Sequence, residues 1–262
     1  MEHWLTFEEE CTNYLNQKFG EQAKFCHLGG GDANTSDICV TTNTGRKFYI
    51  EVKLTPAHCG QFVLLPNVAD GRFVFSEGNK TGVTAQVQRI IDHMNADFEA
   101  YKEAGTKGRT IDLNDDGKTF YEWIISMYRH KGTEFFITND YTILQINDFA
   151  KHFDVTATYR VKRSGSSNVG KRKIPAVTQE IKDRGYLVDR FETKGGKLFV
   201  YASDNIHNVR FVFEGFEYMF SLRSNKYEVR RLSNTFNANV IFAIVKKDCE
   251  GLTDTEFRTV LK

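Results

Sequence analysis

Ser36-Asp37-Ile38-Cys39-Val40-Thr41-Thr42-Asn43-Thr44-Gly45-Arg46-Lys47-Phe48-Tyr49-Ile50-Glu51-Val52-Lys53-Leu54 reads as a β-hairpin. Phe48, Ile50, Val52 and Leu54 alternate along the second strand, so Glu51 and Lys53 share the opposite face. The first strand runs from about Thr35 to Thr41, and Asn43-Thr44-Gly45 supplies the turn. With the turn centred on Thr44, Ile38 faces Ile50, Val40 faces Phe48 and Asp37 faces Glu51. A two-residue turn shifts the register by one residue and breaks this pairing. Directly opposed side chains have Cβ atoms roughly 5 Å apart, so two carboxylates so placed repel each other unless a cation lies between them.

Around this hairpin the first half predicts helix, three strands, helix, strand. Residues 2–19 form an amphipathic helix with Trp4, Phe7, Cys11, Tyr14 and Leu15 in its apolar stripe. A strand at 22–28 and a loop, Gly29-Gly30-Gly31-Asp32, lead into the hairpin. Short strands lie in 61–65 and 72–75, helices at 83–104 and about 118–130, and strands at 135–138 and 141–144. A short helix near 147–153 follows. The last hundred residues are strand-rich, with one helix near 175–184 led by Pro175. The fold class expected is α/β: a mixed central sheet flanked by helices, with a β-rich C-terminal part. Residues 1–150 would hold the catalytic core and 151–262 a recognition part packed on it.

The 262 residues carry a net charge of only +1, so a polyanionic partner has to be drawn by a local patch. One exists. Between Val155 and Lys173 lie six cationic residues and no acidic one, whereas the first sixty residues carry five Lys/Arg against eight Asp/Glu. That footprint points to phosphate binding around the small, donor-rich loop Ser164–Gly170. The candidate nucleic-acid contacts are Tyr159, Arg160, Lys162, Arg163, Ser164, Ser166, Asn168, Lys171, Arg172 and Lys173, with Asn234, Asn237 and Asn239 further on. Arg223, Lys226, Arg230 and Arg231 form a second basic cluster. A solvated basic loop, and asparagines that only shape a turn, are the plain alternatives.

Asp37, Glu51 and Lys53 supply the parts that phosphodiester hydrolysis requires: two oxygen ligands for a hard cation such as Mg²⁺, and an ammonium to orient or deprotonate water. The plain alternative is a solvated hairpin face. Glu8 lies inside the apolar stripe of the first helix, where a carboxylate is costly unless paired or near a metal. Gln61 could hold a water or a phosphate. Asp112-x-Asn114-x-Asp116-Gly117 imitates the start of a calcium loop, but its twelfth position is Trp123, and an aspartate-capped helix start explains it better. His58-Cys59 lacks the oriented acid that a thiol nucleophile needs. The five cysteines show no metal-ligand spacing and suit reduced thiols in the cytoplasm. No apolar run approaches the roughly 20 residues of a membrane span.

Ser36-Asp37, followed fourteen residues later by Glu51-Val52-Lys53, resembles the PD-(D/E)xK nucleases, with serine in place of the proline. Cys59–Leu64, Thr158–Ser166 and Leu232–Phe242 are similar to segments of type II restriction endonucleases. The resemblance implies that Asp37 and Glu51 are metal ligands and Lys53 the catalytic lysine. It also implies Mg²⁺-dependent cutting of both strands of double-stranded DNA at a short GC-rich palindrome, GCGC, with a methyltransferase protecting the host genome. A repair or structure-specific nuclease, and a non-catalytic DNA-binding module of the same fold, are the competing functions.

Overall fold

The computed structural model describes residues 3–29 and 35–262, and of residues 3–5 the backbone alone. The Trp4 side chain and the loop Gly30–Asp32 lie outside the described residues. In chain order the elements are α1 (His3–Phe19), β1 (Ala23–His27), β2 (Ile38–Thr42), β3 (Lys47–Lys53), β4 (Ala57–Asn67), β5 (Arg72–Phe75), α2 (Ala85–Ala96), α3 (Phe98–Lys102), β6 (Arg109–Ile111), α4 (Lys118–His130), β7 (Thr133–Thr138) and β8 (Ile143–Gln145). After a 3-10 turn come α5 (Phe149–His152), β9 (Phe153–Arg163), β10 (Ser166–Asn168), α6 (Ile174–Asp183), β11 (Arg190–Lys194), β12 (Lys197–Tyr201), β13 (Arg210–Phe213), β14 (Phe216–Arg223), β15 (Lys226–Leu232), β16 (Phe236–Lys246) and α7 (Asp254–Val260). The helix expected over 83–104 breaks at Asp97 into two, and α7 arises where no helix was expected.

Two compact units divide the chain: residues 1–160 with 239–262, and residues 161–238. The expected boundary at 150 is thus corrected, because β16 and α7 return to the first unit. The first unit contains a mixed sheet ordered β1-β2-β3-β7-β8, parallel only at β3–β7. One face buries Ile38, Val40, Phe48, Ile50 and Val52 against Phe7, Cys11 and Leu15 of α1 and Phe257 of α7. On the other face Phe136 of β7 meets Tyr128 of α4 edge-on, with ring centroids 5.1 Å apart, and Phe149 of α5 at 5.2 Å. Helices therefore cover both faces, and the strand face that sequence alternation marked as polar is buried too.

A second sheet of this unit runs β5-β4-β16-β9-β6. Trp123 of α4 stacks on Phe242 of β16 at 4.4 Å, and Phe62 of β4 packs beside it at 5.5 Å. Such aromatic pairs contribute about 0.5–1.5 kcal/mol each beyond their burial. The calcium-like segment leads into α4, but its N-cap is Gly117 with no side-chain cap bond, which corrects the expected aspartate cap. Asp115, two residues earlier, accepts from the Thr119 backbone N–H (3.2 Å) and hydroxyl (2.5 Å). The second unit is a sheet ordered β11-β12-β15-β14-β13, with β10 paired to β15, and it buries one face against Val177 and Ile181 of α6. No described helix is long and apolar enough to cross a membrane.

Alternation along β9 corrects one expectation. Ala157 and Tyr159 point inward and are fully buried, and the Tyr159 hydroxyl donates to the Leu64 carbonyl at 3.1 Å. Tyr159 is a core residue and cannot be a nucleic-acid contact. Tyr159→Ala is expected to cost about 3–5 kcal/mol in urea unfolding, and Arg160→Ala, one position along, about 0.5 kcal/mol or less; equal costs would contradict this assignment of faces.

Candidate active site

The hairpin forms in the register that places the turn on Thr44. Ile38 pairs with Ile50, Cys39 with Tyr49 and Val40 with Phe48. Asp37 immediately precedes the first of these pairs, and its Oδ2 accepts the Val52 backbone N–H at 2.8 Å. Its own carbonyl accepts from the Leu28 N–H at 2.8 Å, which fixes the backbone on the other side. Ser36, standing where the related motif has proline, is buried and shares a 2.6 Å hydroxyl–hydroxyl bond with Thr133 of β7. Beyond Lys53, Asn139 closes the end of the strand by accepting from the Thr55 N–H (2.8 Å) and donating to its carbonyl (2.9 Å).

Glu51 is 6% exposed. Its Oε1 accepts from Lys53 Nζ at 2.6 Å and from the Tyr128 hydroxyl at 3.1 Å. Its Oε2 is buried with no hydrogen-bond partner. Burial, then the Glu51 carboxylate, pushes Asp37 up to about 7, although Lys53 and the Val52 N–H pull it down. Burial alone would lower Lys53, but the charges of Glu51, Cys59 and Asp37 and the bond to Glu51 carry it above its ordinary value. Lys53 is therefore an ammonium at neutral pH. It can orient water and offset negative charge, but it holds no free lone pair with which to act as a base. Two carboxylates against one ammonium leave a deficit of positive charge. An orphaned carboxylate oxygen beside a desolvated acid fits a hard cation with few protein ligands, the habit of Mg²⁺. No group of three or more His, Cys, Asp and Glu converges among the described residues, which is unlike a zinc centre.

Glu8 is buried rather than reaching solvent at the edge of the stripe, and its Oε2 lies 3.0 Å from His27 Nε2 on β1. Its charge also bears on Asp37. His27 and Tyr128 were not foreseen: no spacing in the sequence joins Tyr128 to Glu51, 77 residues away. Gln61 makes no hydrogen bond to the trio among the described residues. Ile241 pairs with Gln61 but Ala243 pairs with His58, so a bulge at Cys59–Gly60 reverses the alternation of β4. Gln61 consequently lies exposed, accepting from Asn239 Nδ2 at 3.2 Å. A Cβ on Gly60 would fall 2.9 Å from the Trp123 ring, so the bulge needs glycine there. Cys59 is fully buried and burial pushes its thiol up to about 12, which removes it as a nucleophile.

The basic residues of the second unit divide into two groups. Arg163 pairs with Glu217 at 2.5 Å, and Lys173 with Glu214. Ser164 bonds to Ser233 at 2.9 Å and to Thr235. Arg230 donates to the Ser166 carbonyl and to Asn168 Oδ1, both at 2.7 Å, and to the buried Glu228, which Arg223 also reaches. Lys226 pairs with Glu192 at 3.0 Å. These side chains are already engaged within the unit. Lys162, Lys171 and Arg172, with Arg160 of the first unit, have no acidic partner among the described residues. Asn234 and Asn237 are exposed.

No protein-family model and no curated protein matches the chain. Among solved structures, HhaI endonuclease in complex with DNA is similar, with a TM-score of 0.73 at 35% sequence identity over 99% of this chain and 98% of that one. The chain belongs to the HhaI family of type II restriction endonucleases. The likeness to HhaI endonuclease covers residues of both units.

The Asp37 shift sets a pH dependence for this HhaI-family chain without metal. Its ordinary value is 3.8 and its folded value about 7. Between them the folded state holds a proton that the unfolded chain has lost. The stability from this group is therefore greatest at or below pH 4 and falls as pH rises to 7, by at most about 1.4 kcal/mol per pH unit. Asp37→Asn is expected to remove that decline, gaining stability over the parent at pH 8 relative to pH 5 in urea titrations with EDTA. Parallel pH profiles of the two proteins would contradict the placement of Asp37.

Proposed function

We propose that the chain is a Mg²⁺-dependent type II restriction endonuclease with a PD-(D/E)xK core, hydrolysing phosphodiester bonds of double-stranded DNA at a short GC-rich palindrome, GCGC. The observation that carries this reading is the buried trio: Lys53 bonded to Glu51 Oε1, Glu51 Oε2 unpartnered, and Asp37 raised beside it. The likeness to HhaI endonuclease, a structure titled as a complex with DNA, supports the substrate. The GCGC site comes from the family resemblance.

Asp37 and Glu51 would hold the Mg²⁺. When bound, it neutralises charge on the reacting phosphate and makes the attacking water more acidic. The rest falls to this chain. Glu51, fixed by Lys53 and Tyr128, offers one free oxygen, and Asp37 is anchored by the Val52 N–H. Water attacks phosphorus in line with the leaving ester oxygen, so that a new P–O bond forms as the P–O bond to that oxygen breaks. The proton the water loses passes to solvent, and the leaving oxygen takes one from solvent to become the free hydroxyl of the cut strand. Lys53, kept charged by its bond to Glu51, donates to the water or to the phosphoryl oxygen and stabilises the charge that grows there. Arg160, Lys162, Lys171 and Arg172, free of acidic partners, are the cations available to backbone phosphates. Such a cytoplasmic enzyme implies a methyltransferase acting on the same site, as a functional partner rather than as a stable complex.

Lys53→Ala and Glu51→Gln are expected to lower cleavage at least 100-fold while retaining duplex binding, measured by fluorescence anisotropy in EDTA. Removing one member of so buried a pair costs about 3–5 kcal/mol, so folding is checked by circular dichroism in the same samples. Undiminished cutting by either folded variant would end the assignment. Plasmid digestion separates the rivals: discrete fragments with Mg²⁺ support restriction, whereas no sequence-defined fragments indicates a structure-specific nuclease and no metal dependence a binding module.

Alanine at Lys171 or Arg172 should weaken binding on all sequences and reduce the slope of log affinity against log salt by about 1. An unchanged slope for both would remove them from the phosphate contacts.

A further inference from the structure

Glu51 is the candidate ligand whose orientation is best defined, and one of its two donors touches none of the reacting atoms. Tyr128 lies in the last turn of α4 and is 2% exposed. Its hydroxyl donates to Glu51 Oε1 at 3.1 Å. Phe136 meets its ring edge-on at 5.1 Å. Lys53 Nζ stands 5.7 Å from the centre of the same ring, within the range of a cation–π contact. The Cys59 thiol lies 3.8 Å from the hydroxyl. Burial keeps the phenol protonated, so towards Glu51 it can only donate.

A carboxylate oxygen has two in-plane lone pairs. Lys53 and Tyr128 occupy both on Oε1, and nothing occupies those of Oε2. One donor alone would leave the carboxylate free to turn about its last bond, and Lys53 free to follow either oxygen. Two donors on a single oxygen stop that rotation. They leave Oε2 as the one oxygen able to take a further cation.

We propose that Tyr128 is a positioning residue: it locks the Glu51 carboxylate so that Oε2 alone is presented to the divalent cation and Lys53 stays on Oε1. It acts through Glu51 and touches neither substrate nor the reacting atoms. The inference rests on the reading of Asp37, Glu51 and Lys53 as a Mg²⁺-dependent site.

The test is Tyr128→Phe, which keeps the ring, its packing on Phe136 and its face towards Lys53 while deleting the donor. Calorimetric titration with Mg²⁺ alone is expected to give a dissociation constant about 10-fold weaker than the parent, the usual scale for losing an outer partner of a ligand. Cleavage at limiting Mg²⁺ should fall by a similar factor and recover as Mg²⁺ is raised, with KM for DNA unchanged. Cys59→Ala, which alters the same pocket without removing a donor to Glu51, should bind Mg²⁺ like the parent.

A parental Mg²⁺ constant in Tyr128→Phe would overturn the inference and leave the site reading intact. Equal weakening in Cys59→Ala would also overturn it, because packing rather than the hydroxyl would then be responsible. Failure of the site reading looks different: the parent protein itself would bind no Mg²⁺, or Lys53→Ala would cut as well as the parent.

Discussion

Glu51 and Lys53 sit on a strand whose two faces are both covered by helices, and this burial is the constraint from which the site follows. On a solvated face, two carboxylates and a lysine would be ordinary surface charges worth little to each other. Under α4, with Glu51 6% exposed, each charge has to be matched by a partner. Lys53 and Tyr128 satisfy one oxygen of Glu51, and the Val52 N–H satisfies one of Asp37. What remains is a buried negative charge that the chain itself does not cancel. The proposed cation would cancel that charge, and the pair costs stability when the cation is away.

Charge counting along the second unit shows the same principle from the opposite side. The segment from Val155 to Lys173 has no acid of its own, yet its cations do not all face solvent unpaired. Glu217 and Glu214 reach Arg163 and Lys173 from β14 and the turn before it. Glu228, 2% exposed, gathers Arg223 and Arg230, and Arg230 in turn ties β10 to β15 through Ser166 and Asn168. Arg230 and Arg223 thus serve the architecture of the sheet. Of the six cations in this segment, Arg160, Lys162, Lys171 and Arg172 have no acidic partner among the described residues, and these are the ones proposed for phosphate contact.

The hairpin was legible because its signal is local: alternation in Phe48–Leu54 gives the face, and of the two turns the sequence allowed, the one centred on Thr44 gives the observed pairing of Ile38 with Ile50. Glu8 was legible for a related reason, as a carboxylate interrupting an apolar stripe. What stayed hidden depends on partners far along the chain or on a single inserted residue. The bulge at Cys59–Gly60 turns Gln61 outward, and its one local signal is Gly60 inside the strand pattern. Tyr128 reaches Glu51 only because α4 packs on β7, where Phe136 is paired with Glu51 of the neighbouring strand. The return of β16 to the first unit could not be read from strand propensity. Two misses were avoidable. Ala157 and Tyr159 alternate with polar neighbours as a half-buried strand does, which argues for a buried tyrosine. Thr253 and Glu256 have the capping-box spacing, and both of its reciprocal bonds form at the start of α7.

The central claim is that Asp37 and Glu51 share one divalent cation beside the Lys53 ammonium. Anomalous diffraction from crystals grown with Mn²⁺ at pH 8 tests it most directly. The account predicts a difference peak bonded to both carboxylates, on the Oε2 side of Glu51, with Lys53 still on Oε1. A peak bonded elsewhere, or none on these two residues with DNA bound, would contradict it.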